Sequence, residues 1–332
     1  MPAEWAPHER TLMAWPARAE LWGAQLAQAK DDYAATATAV AAFEPVTMVC
    51  ANEAAAAEAR AALPGEVDVI VEPIDDSWLR DSGPIFVIGE GGRRAAVHFG
   101  FNAWGEKFHP YDRDAAIGGR LVELVGDPCY RAPLVLEGGS ICVDGEGTLI
   151  TTEQCLLHPS RNPSLSREQI EQQLRDQLGL GAHAAEGGGS GVVWLGKGLV
   201  EDRDTDGHVD LIAAFTKPGE VLLQTVPEGN PNFANCRENA ERLRDAGIDV
   251  VELPHLPYSD VEGETVACTY MNFYLCNDAV IVPVCGADTD PDALARIAEA
   301  YPGREAVPVP GAVIAWGGGG PHCITQQVPA KP

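Results

Sequence analysis

The sequence lacks any apolar run near the ~20 residues that a bilayer-crossing helix needs. Its longest runs, such as Ala54–Ala57 and Ala279–Val284, are alanine-rich or short. Its start, MPAEWAPHERTLMAWP, has no basic segment followed by an apolar core, so no signal peptide and a cytoplasmic location are expected. CxxC and HExxH are both missing. Nine cysteines, an odd number, are scattered from Cys50 to Cys323, which suggests neither a disulfide framework nor a zinc knuckle. Positive charge is scarce: 23 Lys and Arg stand against 49 Asp and Glu, a formal net charge of −26. Phosphate binding needs a basic footprint, so nucleic acid is excluded as a partner. A cationic ligand suits such a surface, which would speed its arrival. Adaptation for solubility or salt is the alternative.

What the chain has is a core. Hydrophobic residues make up 45% of 332, which argues against disorder. The length suits two ordinary domains or one large α/β domain. The segment holding Trp5, Trp15 and Trp22 reads as a structured loop, and Gly23–Phe43 as a helix. Strands are expected at Pro45–Cys50, Val67–Pro73, Ile85–Ile88 and Ala95–Phe101, with Asn52 capping a helix to Leu63. The same grammar then recurs. Helices at Asp112–Val125, Ser166–Leu178, Phe233–Ala246 and Asp290–Tyr301 alternate with hairpins turned at Asp144–Gly145, Pro218–Gly219 and Asn277–Asp278.

Asp81, Glu137, His208, Tyr270 and Cys323 open equivalent strands, at spacings of 56, 71, 62 and 53 residues. Five such units must share a core. Hairpins alternating with crossover helices suit a closed ring with helices outside, which also removes exposed sheet edges. The strand-opening residues would then meet near the axis. An open doubly wound sheet with accidental spacing is the alternative.

The last opening is GGGGPHCITQQ, Gly317–Gln327. Glycine permits close backbone approach, so the run can deliver Cys323 into a tight pocket. Read alone, Cys323 is equally an ordinary buried thiol. Its expected company changes that. His208 and Asp210 lie two apart on an expected strand and would face the same way. Metal is one use for His, Asp and Cys together, but hard carboxylates with one thiolate make a poor zinc set. Nucleophilic catalysis fits better, with Cys323 attacking and His208 shuttling protons. Carboxylates crowded around one pocket repel one another unless a cation joins them. A planar guanidinium matches carboxylate oxygens bidentately and is itself an electrophile.

The motifs DDSWLRDSGP (75–84), FNAWGEKF (101–108), LEGGS (136–140), DTDGHVD (204–210), YMNFYLCNDAVIVP (270–283) and GGGGPHCITQQ resemble, in order, those of the agmatine deiminases. These form one family with bacterial-type peptidylarginine deiminases, within the guanidine-modifying pentein superfamily. The resemblance covers about Trp5 to Pro329. It implies an α/β fold, a five-bladed ββαβ propeller with pseudo-five-fold symmetry, forming one catalytic domain over residues 1–332. It implies hydrolysis of agmatine to N-carbamoylputrescine and ammonia, on the way to putrescine, with no cofactor and no metal. A small cationic guanidine would be the partner, with no membrane, and a homodimer is suggested.

Carried onto this sequence, the resemblance makes Cys323 the nucleophile and His208 the acid and base. Asp81 and Asp210 clamp the guanidinium nitrogens, and Glu137 orients His208 or touches the substrate. Bland readings stand beside these: an Arg80 partner for Asp81, a turn residue for Glu137, a loop histidine for His208, a surface charge for Asp210. Trp78 is expected over the substrate cation, or in the core. His322 is left out of the site, because in an extended segment it would point away. The acidic loop Glu201–Asp206 is a candidate for the distal amine. The family usually has Asn in the last glycine tract, where this chain has Gly320–Pro321. Other guanidines, including arginine and peptidyl-arginine, and a silent cation-binding ring are the competing readings.

Overall fold

In the computed structural model, which describes residues 1–181 and 191–332, five small sheets repeat one pattern. Each begins with an antiparallel pair and gains a third, parallel strand after a helix. Ile85–Ile88 and Arg94–Gly100 pair antiparallel, and Cys129–Val135 joins in parallel after helix Asp114–Val125. The third sheet has Ile141–Val143, Leu149–Thr152 and Val192–Leu195, and the fourth Ala213–Lys217, Glu220–Gln224 and Asp249–Leu253. Tyr274–Cys276, Ala279–Val284 and Glu305–Pro310 make the fifth.

The first sheet takes a strand from each end of the described chain. Thr325–Pro329 pairs antiparallel with His8–Ala14, which pairs in parallel with Val46–Cys50; Asp68–Val71 adds a fourth strand. The segment expected to be a loop is therefore partly a strand. HERTLMA lies between two partners and is buried on both faces beyond Arg10, so it shows no alternation to read.

Local chemistry explains the helices. Asn52 Oδ1 accepts the Ala55 N–H, a cap worth about 1 kcal/mol. Ser166 and Gln169 form a reciprocal capping box at the start of Arg167–Leu178. A hairpin at Tyr258–Val261 and Glu264–Ala267, and a short helix Ala312–Trp316, were not expected from sequence. No helix among the described residues is long and apolar enough to cross a membrane.

Five hydrophobic clusters each bridge one sheet to the next. Leu12, Val49, Phe86 and Ala96 join the first to the second, while Val97, Leu134, Ile141 and Val192 join the second to the third. Ile150, Leu195, Phe215 and Leu223 continue the sequence, then Leu222, Leu253, Leu275 and Val282. Met13, Val46, Tyr274 and Ile281 link the fifth sheet back to the first.

Each sheet is entered through a tight turn rather than directly. The turns are Leu79–Ser82, Gly138–Ser140, Val209–Leu211, Tyr270–Asn272 and 321–324. Turn 79–82 packs on turn 138–140, which packs on 209–211, which packs on 270–272. His208 and Asp210 thus flank and occupy a turn, not a strand as expected. Tyr270 is also corrected. Its hydroxyl bonds Thr289 and Asp290 inside the core, and Asn272 faces the other turns instead.

Candidate active site

The turns bring Asp81, Glu137, His208, Asp210 and Cys323 together, all buried. His208 is at the centre. Its Nδ1 lies 3.9 Å from Asp81 Oδ1 and 3.9 Å from Asp210 Oδ1, and its Nε2 lies 3.9 Å from Glu137 Oε2. These are ion-pair distances, too long for hydrogen bonds, and neither ring nitrogen has a hydrogen-bond partner. Burial works against charge on this ring, but Asp81 and Glu137 hold its pKa well above the usual histidine value. The backbone is fixed from outside: Asp202 Oδ2 accepts the N–H groups of Gly207 and His208.

Asp81 accepts one N–H on each oxygen, from Gly139 and from the Trp104 indole, both at 2.9 Å. That is the pattern of an ionised carboxylate. Burial raises its pKa all the same, and the nearby Asp210 and Glu137 charges add to the rise. Arg80 does not pair with Asp81; it turns to Glu4 and Gln327. Glu137 Oε1 takes the Arg161 Nε–H at 2.7 Å. Despite full burial, His208 and Arg161 hold Glu137 below the ordinary range.

Asp210 divides its oxygens. Oδ2 accepts His322 Nδ1 at 2.8 Å and the Cys323 thiol at 3.4 Å, while Oδ1 has no partner. The Cys323 N–H donates to Asn272 Oδ1. Burial pushes the thiol pKa well above its usual value, and the Asp210 and Asp81 charges push it the same way. The surroundings thus favour the neutral form of the Cys323 thiol and the charged form of the His208 imidazole.

Several of these partners escape sequence reading. Trp104 sits in a run of positive φ: Ala103 51°, Trp104 56°, Gly105 91° and Glu106 62°. A left-handed turn costs roughly 1–2 kcal/mol per non-glycine residue, and such strain collects at functional sites. Here it aims the indole N–H at Asp81, inside the quoted motif FNAWGEKF. Asn272 carries no local signal. His322 was set aside on the assumption of an extended segment; residues 321–324 instead turn, and the ring is buried against Asp210 and Glu4. A Cβ on Gly320 would lie 2.7 Å from Asn272 Oδ1, so Asn272 fills the space beside the residue where the family usually has Asn.

Trp78 lines a narrow pocket with Asp81, Trp104, Asp204 and Cys323, and its ring stacks on Trp22 at 5.8 Å. Asp204 comes from the acidic loop, and burial raises its pKa. Lys107 ties that loop down through the Arg203 and Asp204 carbonyls and Asp206. Glu137, Cys155 and His208 offer ligand atoms within 4.8 Å of one another, but a metal there would compete with the Arg161 guanidinium for Glu137. The pocket thus presents the Cys323 thiol and the Asp81 and Asp204 carboxylates, with the buried His208 imidazole held against Asp81 behind them. It suits a flat cation open to attack at its central carbon.

The family model of the Porphyromonas-type peptidyl-arginine deiminases matches residues 1–329. Agmatine deiminase of Stutzerimonas stutzeri (strain A1501) is 43% identical, with 99% of this chain and 95% of that protein covered. The solved agmatine deiminase of Enterococcus faecalis superposes with a TM-score of 0.91 at 34% identity, covering 100% of this chain and 96% of that one. DDAH from Pseudomonas aeruginosa, complexed with citrulline, is 15% identical with a TM-score of 0.51, covers 97% of this chain and 100% of that one, and shows the shared α/β fold alone. By motif, sequence and fold, the chain belongs to the agmatine deiminase and Porphyromonas-type peptidyl-arginine deiminase family.

Proposed function

We propose that this protein hydrolyses agmatine to N-carbamoylputrescine and ammonia through a covalent intermediate on Cys323. The observation that carries the reading is His208. Its ring lies among three carboxylates, and it shares Asp210 with the Cys323 thiol: Asp210 Oδ1 is 3.9 Å from His208 Nδ1 and Asp210 Oδ2 is 3.4 Å from the sulfur. The guanidinium sits between Asp81 and the unpartnered Oδ1 of Asp210. Its charge offsets the carboxylates and lowers the cost of forming the thiolate. The Cys323 thiol gives up its proton to solvent, its sulfur bonds the guanidinium carbon, and one C–N bond breaks as His208 gives its proton to the leaving ammonia; the thiol is re-protonated when the C–S bond breaks. Neutral His208 then takes a proton from water. The resulting oxygen adds to the thiouronium carbon, the C–S bond breaks, and a ureido group remains. Glu137, held by Arg161, keeps the imidazole in place and supports its charge. The face of Trp78 covers the substrate methylenes.

Asp204, with no side-chain partner drawn to it, faces the same pocket and receives the distal amine. A cavity of about 460 Å³ continues past Asp204 and Gly318 toward Glu201, Glu264 and Trp316. That space favours a longer guanidine, such as peptidyl-arginine, as the second reading. We further infer that the five sheets close into a five-bladed propeller forming one domain; the cluster joining the fifth sheet to the first supports this. Nine free thiols support a reducing, cytoplasmic setting, and a homodimer belongs to the same reading.

The test is a colorimetric ureido assay over agmatine, arginine, a peptidyl-arginine and an uncharged-tail alkylguanidine. Agmatine should turn over fastest, and arginine barely, because its α-carboxylate would enter an acidic pocket. Equal turnover of arginine would sink the agmatine assignment. Asp204→Asn should raise the KM for agmatine about tenfold or more and leave the alkylguanidine unchanged.

A further inference from the structure

On the far side of Asp210 from the substrate pocket lies a second buried charge pair, Glu4 and His322. His322 Nε2 meets Glu4 Oε1 at 2.8 Å, and its Nδ1 meets Asp210 Oδ2 at 2.8 Å. The resulting line runs from Glu4 through His322 and Asp210 to the Cys323 sulfur, which is 3.4 Å from the same Asp210 oxygen. Neither Glu4 nor His322 lines the pocket that holds Cys323 and Trp78; both line a separate small cavity, together with Asp210 and Cys142. With a carboxylate on each ring nitrogen, His322 donates from both, which requires the imidazolium.

We propose that Glu4 and His322 are positioning residues, a buried ion pair that keeps Asp210 ionised and commits its Oδ2, leaving Oδ1 as the one oxygen free for the guanidinium. This rests on the reading that Asp210 binds that group. The charged and titratable groups facing His322 are Asp210 from turn 209–211, Glu4 from the N-terminal segment, Arg80 from turn 79–82, the Cys142 thiol from strand Ile141–Val143 across the small cavity, and the Cys323 thiol next to it in the chain. Arg80 opposes the imidazolium but also donates to Glu4 and, from Nε, to the His322 carbonyl. The balance favours charge. Burial acts against His322, yet Glu4 and Asp210 raise its pKa; Asp210 falls below the usual carboxylate range, and Glu4 falls to about 2. Glu4 also brings the N-terminal segment into the site, 318 residues from His322.

The sign follows. Removing the Glu4 charge lets His322 lose its proton more easily. Asp210 then takes up a proton at a higher pH, and guanidinium binding fails from the acid side. The experiment compares wild type, Glu4→Gln, Glu4→Asp and His322→Asn by pH profile of kcat/KM, using whichever guanidine of the panel turns over best. Glu4→Gln should move the acid limb up by about one pH unit, so that activity falls about tenfold at a given pH on that limb and stays unchanged at pH 8.5, one unit being a tenfold effect. His322→Asn should move it further, and Glu4→Asp should restore part of the shift. Profiles that drop equally at every pH would mark a purely structural pair and overturn the proposal. Ring NMR of labelled histidine in the resting enzyme, assigned with His322→Asn, gives a readout that needs no turnover. His322 should be doubly protonated at pH 7, and a neutral ring there would overturn the proposal even if the enzyme is a deiminase. If no guanidine is turned over, the deiminase reading fails and the NMR result still judges the pair.

Discussion

Gly139 stands against His208 with no room for a side chain. A Cβ on Gly139 would lie 2.6 Å from His208 Nδ1, 2.8 Å from Asp210 Oδ2 and 3.0 Å from Asp81 Oδ1. The same residue donates its N–H to Asp81. Glycine is needed here for close approach rather than for its backbone angles. Gly139→Ala should fold with an unchanged circular dichroism spectrum and lose about 100-fold or more in kcat, since displacement of ~1 Å at the reacting groups costs that much. Activity within threefold of wild type would show that the three side chains need not meet at this glycine.

Cys323→Ala should abolish ureido formation at every pH while leaving the fold intact by circular dichroism. Surviving turnover after purification free of host enzyme would remove the thiol mechanism.

The state of that thiol can be measured directly. Burial and two carboxylates keep it neutral in the resting site, so the 240 nm difference titration of wild type minus Cys323→Ala should show no thiolate below pH 9. A transition near pH 7 would mean that a preformed thiolate–imidazolium pair exists without substrate.

Trp104→Phe keeps the edge contacts to Phe101 and Phe108 but takes away the N–H that Asp81 Oδ2 accepts. A buried carboxylate oxygen left without its donor costs about 1–3 kcal/mol, so kcat/KM should fall roughly 10- to 100-fold. An unchanged value would indicate that substrate alone fixes Asp81.

Glu4 also predicts a pH dependence of stability. Its pKa is lowered from 4.5 to about 2, so its contribution is present above pH 4.5 and is lost as pH falls through that window. In urea titrations, Glu4→Gln should be less stable than wild type at pH 7, and the difference should shrink toward pH 3. A difference independent of pH would place the effect in packing.

The repeated unit was legible because each part has a local cause. Asn52 and Ser166 cap, Asp278 and Gly219 take positive φ in their turns, and the hairpins alternate. Four of the five strand-opening positions, Asp81, Glu137, His208 and Cys323, meet in the structure, and Tyr270 does not. Harder to read were contacts made by long-range closure. His8–Ala14 has no alternation because strands flank it on both sides. Arg161 reaches Glu137 from a loop, Trp104 depends on a left-handed turn, and Glu4 finds His322 only when the ends of the chain meet. The assumption of extended backbone misplaced His322, since four glycines and a proline before it gave no sign of the turn at 321–324.

Three buried polar atoms in the resting site, both ring nitrogens of His208 and Oδ1 of Asp210, have no hydrogen-bond partner among the described residues. Each unsatisfied buried group costs about 1–3 kcal/mol, and replacing both members of such a set by apolar groups of like shape can be neutral or stabilising. The chemistry is therefore built at the expense of heat resistance. An occupied site should melt well above an empty one.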